Sequence, residues 1–190
     1  MKAIAADSTA VPEGDDRFSP DFELFVSAFL NASFWGNNID SMVQASSPIT
    51  NQFMHKDFPF GRYWNEGVYC LIYHGEDLGY HFESNFHGTV QPPNKNYAFF
   101  KEKTPEDGFC DVSTSPDGLY YHTITNFPKF QDPASEGDPN RDVVIPAQFK
   151  SAPKMALKIL VDKYIIKSIY FVQIDKVWYL AFFDDCDCSA

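Results

Sequence analysis

Residues 164–185 set the terms for the rest of the chain. They run apolar almost without a break, interrupted by the polar pair Asp175-Lys176. That pattern predicts a long β-hairpin, with strands over 164–174 and 177–183 joined by a two-residue loop. Such a loop sets the register. Ile174 then faces Val177, Val172 faces Tyr179, Tyr170 faces Ala181, and Lys167 falls opposite Asp184. Side chains alternate between faces along a strand. One face is therefore expected to carry Ile169, Phe171, Trp178, Leu180 and Phe182, and the other Ile166, Tyr170, Val172, Tyr179 and Phe183. Both faces are apolar, so both require a covering layer and the strands belong in the interior of a sheet.

The rest of the chain must supply those layers. At 190 residues with 44% hydrophobic and 17% aromatic composition, it is large and apolar enough for one substantial core. Residues 1–17 are Ser-, Thr-, Pro- and acid-rich without apolar periodicity, and read as a flexible tether to a single domain over 18–190. The net charge of −11 argues against nucleic acid and anionic lipid as partners. Lys154, Lys158, Lys163 and Lys167 are spread among apolar residues and make no basic patch. No run approaches the ~20 apolar residues of a transmembrane segment. The first residues are too short and polar for the apolar region of a signal peptide. The expectation is a soluble chain, either cytoplasmic or exported after loss of an upstream signal.

Ser19-Pro20-Asp21 signals a helix start, with Ser19 as N-cap and Pro20 in the first turn. Phe22, Phe25, Val26, Phe29 and Leu30 form one apolar stripe at helical spacing, and Gly36 closes it. Two shorter helices are expected over 39–45 and 47–53. Residues 54–64 read as an irregular aromatic segment. Strands are expected over 68–73, 80–87, 97–100, 109–112, 119–127 and 143–145, with 154–161 read as strand over helix. Ser115-Pro116-Asp117-Gly118 is a turn joining two of them. Helices first and strands after give an α+β fold, with N-terminal helices packed on a curved, mostly antiparallel sheet.

Helices, an antiparallel sheet and a final hairpin carrying Lys176-Val177-Trp178-Tyr179-Leu180 resemble the cone-shaped α+β superfamily of nuclear transport factor-like proteins. That superfamily includes SnoaL-like and ketosteroid-isomerase-like members. The ending Asp184-Asp185-Cys186-Asp187-Cys188-Ser189-Ala190 also resembles those of uncharacterised bacterial proteins, often exported. The resemblance runs in outline from Pro20 to the C-terminus. It implies a sheet wrapped around the first helix and a pocket at its open end. It implies no activity, because function resides in the site and not in the fold.

Candidate functional residues follow from the strand faces. His122 shares a face with Tyr120 and Ile124, which places an imidazole in apolar surroundings that shift its pKa across neutrality. Trp35, Tyr63 and Trp64 are candidates for the rim of a ligand cavity, with Tyr120 and His122 inside it. His81, Glu83 and His87 share a strand face, which reads as the polar side of a half-exposed strand more than as a metal site. No metal or cofactor is expected: nucleotide-binding, Gly-x-Ser-x-Gly and His-Glu-x-x-His motifs are absent. Of the four cysteines, Cys70 reads as buried and reduced, and Cys110 as bridged to Cys186 or Cys188. The resulting expectation is a protein that binds a small apolar or amphipathic ligand, or a protein partner, in a cone-shaped cavity. The alternatives are an enzyme of proton transfer using His122 and a structural module of a homodimer.

Overall fold

The computed structural model of the chain describes residues 19–32, 52–58, 61–65, 70–74, 97–107, 111–128 and 145–185, with side chains at 62–65, 70–74, 166 and 185 left out. The expected tether, Trp35, the 39–45 helix, residues 47–51 of the helix expected over 47–53, the 80–87 strand, and Cys110, Cys186 and Cys188 lie outside these residues; Gln52 and Phe53 are described and helical, and Phe53 is buried in the core.

One helix, α1 (Phe22–Ala32), opens the described chain. Its cap is Asp21 and not Ser19. Asp21 Oδ1 accepts the backbone N–H of Glu23 at 3.0 Å and of Leu24 at 3.1 Å, while Ser19 Oγ accepts that of Asp21. The Ser-Pro-Asp signal offered two capping side chains two residues apart. Asp21 holds two otherwise orphaned N–H groups and adds a negative charge at the positive helix end. The predicted stripe Phe22, Phe25, Val26, Phe29 and Leu30 is the buried face.

The strands are β1 (Gly61–Asn65), β2 (Cys70–His74), β3 (Phe99–Lys101), β4 (Gly118–Ile124), β5 (Lys154–Val161), β6 (Tyr164–Ile174) and β7 (Val177–Asp185). They form a mixed sheet of order β2-β1-β7-β6-β5-β4-β3. The fold is α+β, a helix packed on a sheet. The β4-β5-β6-β7 run and the β1–β2 pair are antiparallel. The β1–β7 and β3–β4 pairs are parallel. Two expectations fail here. Residues 61–64, read as irregular, belong to strand β1 beside β7. Asp111 and Val112 are not in a strand, so the Pro116 turn ends a long return that leaves β3 and β4 parallel. Ile145 is likewise outside any strand.

Gly118 is required where β3 meets β4. A Cβ there would lie 2.8 Å from Ala98 O and 2.5 Å from the Phe100 ring, while Leu119 N donates to that same Ala98 O at 2.9 Å.

Strands β5, β6 and β7 are joined by two Asp-Lys turns, Asp162-Lys163 and Asp175-Lys176, and all four residues have positive φ. Positive φ at both central residues matches the right-handed twist of the flanking strands. The side chain of Asp117 reinforces the first turn, accepting the N–H of Asp162 at 3.0 Å and of Lys163 at 3.1 Å.

From the second turn, register runs as predicted through Ile174–Val177 and Val172–Tyr179 to Phe171–Leu180. A bulge then intervenes. Tyr170 pairs with Phe182 instead of Ala181, and Ser168 instead of Lys167 faces Asp184. The extra residue exchanges the two predicted positions beyond it: Phe183 joins the helix-side core and Phe182 the opposite one. A second bulge separates Ile159 from Leu160 in the β5–β6 ladder.

Each sheet face has its own core. On the first, Phe171 receives the edges of Phe22, Phe25 and Phe29 at centroid distances of 5.5, 5.5 and 5.3 Å. Tyr121 donates its hydroxyl to Glu23 Oε1, and Trp178 Nε1 donates to Pro20 O at 2.9 Å, fixing the helix to the sheet. On the second face, Phe58, Phe127 and Phe149 cover Tyr170, Val172, Ile174, Ala181 and Phe182. Phe149 arrives on a single 3-10 turn, Ala147–Phe149. The apolar two-sided hairpin thus has its two layers.

Candidate functional site

The second face is divided along its length. Its half nearest the Asp175-Lys176 turn is the aromatic core just described. Its other half is polar, and the ladders state which residues line it. Strand register places Phe100, Tyr120, Lys158, Ser168, Asp184 and Tyr63 in one row across the sheet from β3 to β1. The next row on that face, towards the aromatic core, holds His122, Ala156, Tyr170, Phe182 and Gly61.

Tyr120 and His122 therefore do share a face, as the β4 alternation predicted. Tyr120 is buried, its ring stacked on Phe100 at 4.5 Å, and its hydroxyl donates to Pro116 O at 2.6 Å. It is a wall with its polar end already engaged. Burial, then the nearby charge of Asp117, raises its pKa against the opposing bond with Ser115. His122 is half-buried, and its Nδ1 is buried with no hydrogen-bond partner. Burial first, and then the charge of Lys158, lower the imidazole pKa below its ordinary value; Glu102 opposes them. The Glu102 carboxylate is held by Thr123, through Oγ1 at 3.0 Å and N at 3.4 Å.

Three residues that the sequence reading did not single out complete the polar half. Lys158 stands opposite both Tyr120 and Ser168. Neither Lys158 nor the buried Ser168 makes a side-chain hydrogen bond or ion pair among the described residues. Beyond Ser168 lies Asp184, whose Oδ2 accepts the hydroxyl of Tyr170 at 3.1 Å. Burial and that carboxylate both push the Tyr170 phenol well above the usual tyrosine range. The even-numbered spacing of Tyr120 and His122 in β4 and of Lys154 and Lys158 in β5 was the available signal. It became useful only once the β4–β5 register was fixed.

Lys154 closes the apolar side. It is 4% exposed, and its Nζ donates to Lys150 O at 2.8 Å and Ala152 O at 2.9 Å, 5.8 Å from the Phe127 ring. Burial among carbonyls and a ring face lowers its pKa. Its amine secures the chain after the 3-10 turn and is spent there. His55 is likewise committed: its Nδ1 accepts the Asp57 N–H at 3.2 Å, and its ring meets Tyr179 edge-on at 5.0 Å.

Of the remaining predicted site residues, Tyr63 holds a register position beside Asp184 in the polar row. Trp64 is one position on, opposite Asp185 in the ladder. Trp35, His81, Glu83 and His87 lie outside the described residues, and His74 ends β2 opposite Gly61. Among the described residues no group of three or more His, Cys, Asp or Glu is placed to hold a metal, and no helix is long and apolar enough to cross a membrane. Comparison with protein-family models, curated proteins and solved structures finds no match to this chain.

Proposed function

We propose that the protein is a binding module for a small amphipathic molecule, which lies along the second sheet face with its apolar part towards the aromatic half and its polar end on the Tyr120–Lys158–Ser168 row. The observation that carries this reading is the juxtaposition of an aromatic core with His122 Nδ1, which is buried with no hydrogen-bond partner among the described residues, and with the side chains of Lys158 and Ser168, which make no hydrogen bond among those residues. Leaving a buried neutral donor or acceptor such as Nδ1 unsatisfied costs about 1–3 kcal/mol unless something satisfies it. Ligand sites characteristically set a few convergent polar groups in an apolar wall. The cone of the nuclear transport factor-like proteins is part of the same proposal. The bulges at Ile159/Leu160 and Tyr170/Phe171 are the devices that bend a sheet, and they favour curvature across this face.

Binding is preferred to proton-transfer catalysis for a specific reason. A catalytic imidazole is oriented by a third group. The carboxylate whose charge acts on His122, that of Glu102, is engaged by Thr123 instead. The test is thermal denaturation with rising 1-decanol, an uncharged ten-carbon amphiphile, followed by calorimetric titration. A saturable rise in Tm with one molecule bound per chain is expected; at one hundred times Kd it corresponds to about 2.7 kcal/mol. A Tm that stays flat or falls at all concentrations overturns the reading.

A further inference from the structure

We propose, resting on that reading, that the polar end of the ligand is an anion held between Lys158 and His122, and that its capture takes up a proton at His122. The argument begins with register. His122 is directly opposite Ala156, so Lys158 is its diagonal neighbour on the same face. A carboxylate or sulfonate set between two diagonal neighbours accepts one hydrogen bond of about 2.8 Å from each side.

Ala156 contributes only a methyl group between them, and across it on β6 stands Tyr170. The buried Ser168 hydroxyl, opposite Lys158, supplies a further donor. The chain as a whole carries a net charge of −11, yet no carboxylate among the described residues pairs with Lys158. A half-buried lysine without a carboxylate partner among the described residues, on the same face as the buried and unpartnered His122 Nδ1, offers two positions from which to hold an anion.

The proton follows from the same geometry. The charged and titratable groups on the face of His122 are Lys158 and Lys154 from β5 and Tyr170 from β6, and the charge of Glu102 from the β3–β4 connection also acts on it. Lys158 opposes a second positive charge on the imidazole. A bound anion reverses that balance. It neutralises Lys158 and gives the buried Nδ1 an acceptor for its proton, so the imidazolium becomes the favoured form. By linkage, whatever the anion does to favour the protonated ring, the protonated ring does to favour the anion. Affinity for an anionic amphiphile therefore rises as pH falls, and rising pH releases it.

The experiment compares 1-decanesulfonate, ionised at every pH used and kept below its micellar range, with 1-decanol, uncharged throughout. Calorimetric titrations of the full chain are run at pH 8 and pH 5.5. The expected result is that the sulfonate binds more tightly than decanol and gains about tenfold in affinity at the lower pH, the effect of a one-unit pKa change, while decanol affinity is the same at both. His122→Gln is expected to remove the pH dependence of sulfonate binding, and Lys158→Met to weaken sulfonate binding about tenfold more than it weakens decanol binding. Far-ultraviolet circular dichroism and a cooperative melt show that each variant is folded. Equal binding of the two amphiphiles, or a pH dependence that survives His122→Gln, overturns the anion inference and leaves the binding module standing. If neither amphiphile binds the wild-type chain, both proposals fall.

Discussion

Replacing Trp178 separates packing from anchoring at the junction of helix and sheet. Its indole is 5% exposed, meets the edge of Phe22 at 5.0 Å, and donates Nε1–H to Pro20 O at 2.9 Å. Opposite it in the ladder, Gln173 Nε2 reaches the same carbonyl at 3.4 Å, a weaker second contact. Trp178→Ala removes the ring and the bond together; a large buried aromatic truncated to alanine costs roughly 3–5 kcal/mol. Trp178→Phe keeps an aromatic ring against Phe22 but loses the donor. That costs about 1 kcal/mol for the hydrogen bond, and about 1 more for the lost ring volume. In urea, with a slope of about 2 kcal/mol/M, the midpoints should fall by about 2 M and about 1 M, respectively. The assay is equilibrium denaturation followed by far-ultraviolet circular dichroism. Equal losses for the two variants would show that the ring contributes nothing beyond its N–H, and an unchanged midpoint for Trp178→Ala would place the side chain outside the core. Either result refutes the account of how α1 is held.

Gly118→Ala should cost about 1–3 kcal/mol, because the new methyl meets the Ala98 carbonyl and not a yielding side chain; the same denaturation assay reads it. Asp175→Asn with Lys176→Gly should stabilise by about 1 kcal/mol, since both residues have positive φ and Asn-Gly adopts it with less strain; an unchanged melting point would contradict this. Stability should fall as pH drops from about 6.5 through the lowered folded-state value of His122, because the unfolded chain binds that proton more readily. The slope should flatten in His122→Gln. At the other end, burial with Glu23 and Asp184 holds Tyr121 and Tyr170 above the ordinary tyrosine range, so the contribution of each is complete below about pH 10 and is lost as pH rises towards the folded value. Tyr170→Phe should make alkaline denaturation shallower.

The helix and the central strands were legible because periodicity reports burial directly. The α1 stripe and the two-sided apolar run of β6 and β7 needed no tertiary information. The bulge at Ala181 was not legible: alternation predicts which side chains share a face only while pairing is one to one. Small Ala181 and bulky Phe182 on one side could not be told from the ordinary pattern. Strand β1 was missed because five residues are too few to show a period, and one of its two partners, β7, lies over a hundred residues away. The first hairpin turn, Asp162-Lys163, repeats the dipeptide that marked the second, and that repetition was a usable signal. At the site, β4 alternation brought Tyr120 and His122 to one face, but it could not show that Tyr120 spends its hydroxyl on Pro116 O. Lys158 and Ser168 emerged only from cross-strand register, which local sequence does not contain.

The paired Asp-Lys turns also bear on the order in which the molecule assembles. Strands β5, β6 and β7 are separated by two residues at each corner, so their ladders close short loops at little entropic cost. Strand β1 must instead find β7 across more than a hundred residues, and β3 must find β4 without a tight turn. Contacts of short sequence separation form first when their reward exceeds the cost of closing the loop. The meander is thus the expected nucleus, with α1 and β1 docking onto a surface already made. Asn-Gly at positions 175 and 176 should then act almost wholly on the folding limb of a chevron plot. Trp178→Phe, which weakens the grip on α1, should act mainly on the unfolding limb. Stopped-flow measurement of both limbs would distinguish this sequence of events from one in which the helix is already docked at the barrier, in which case Trp178→Phe would slow folding as well.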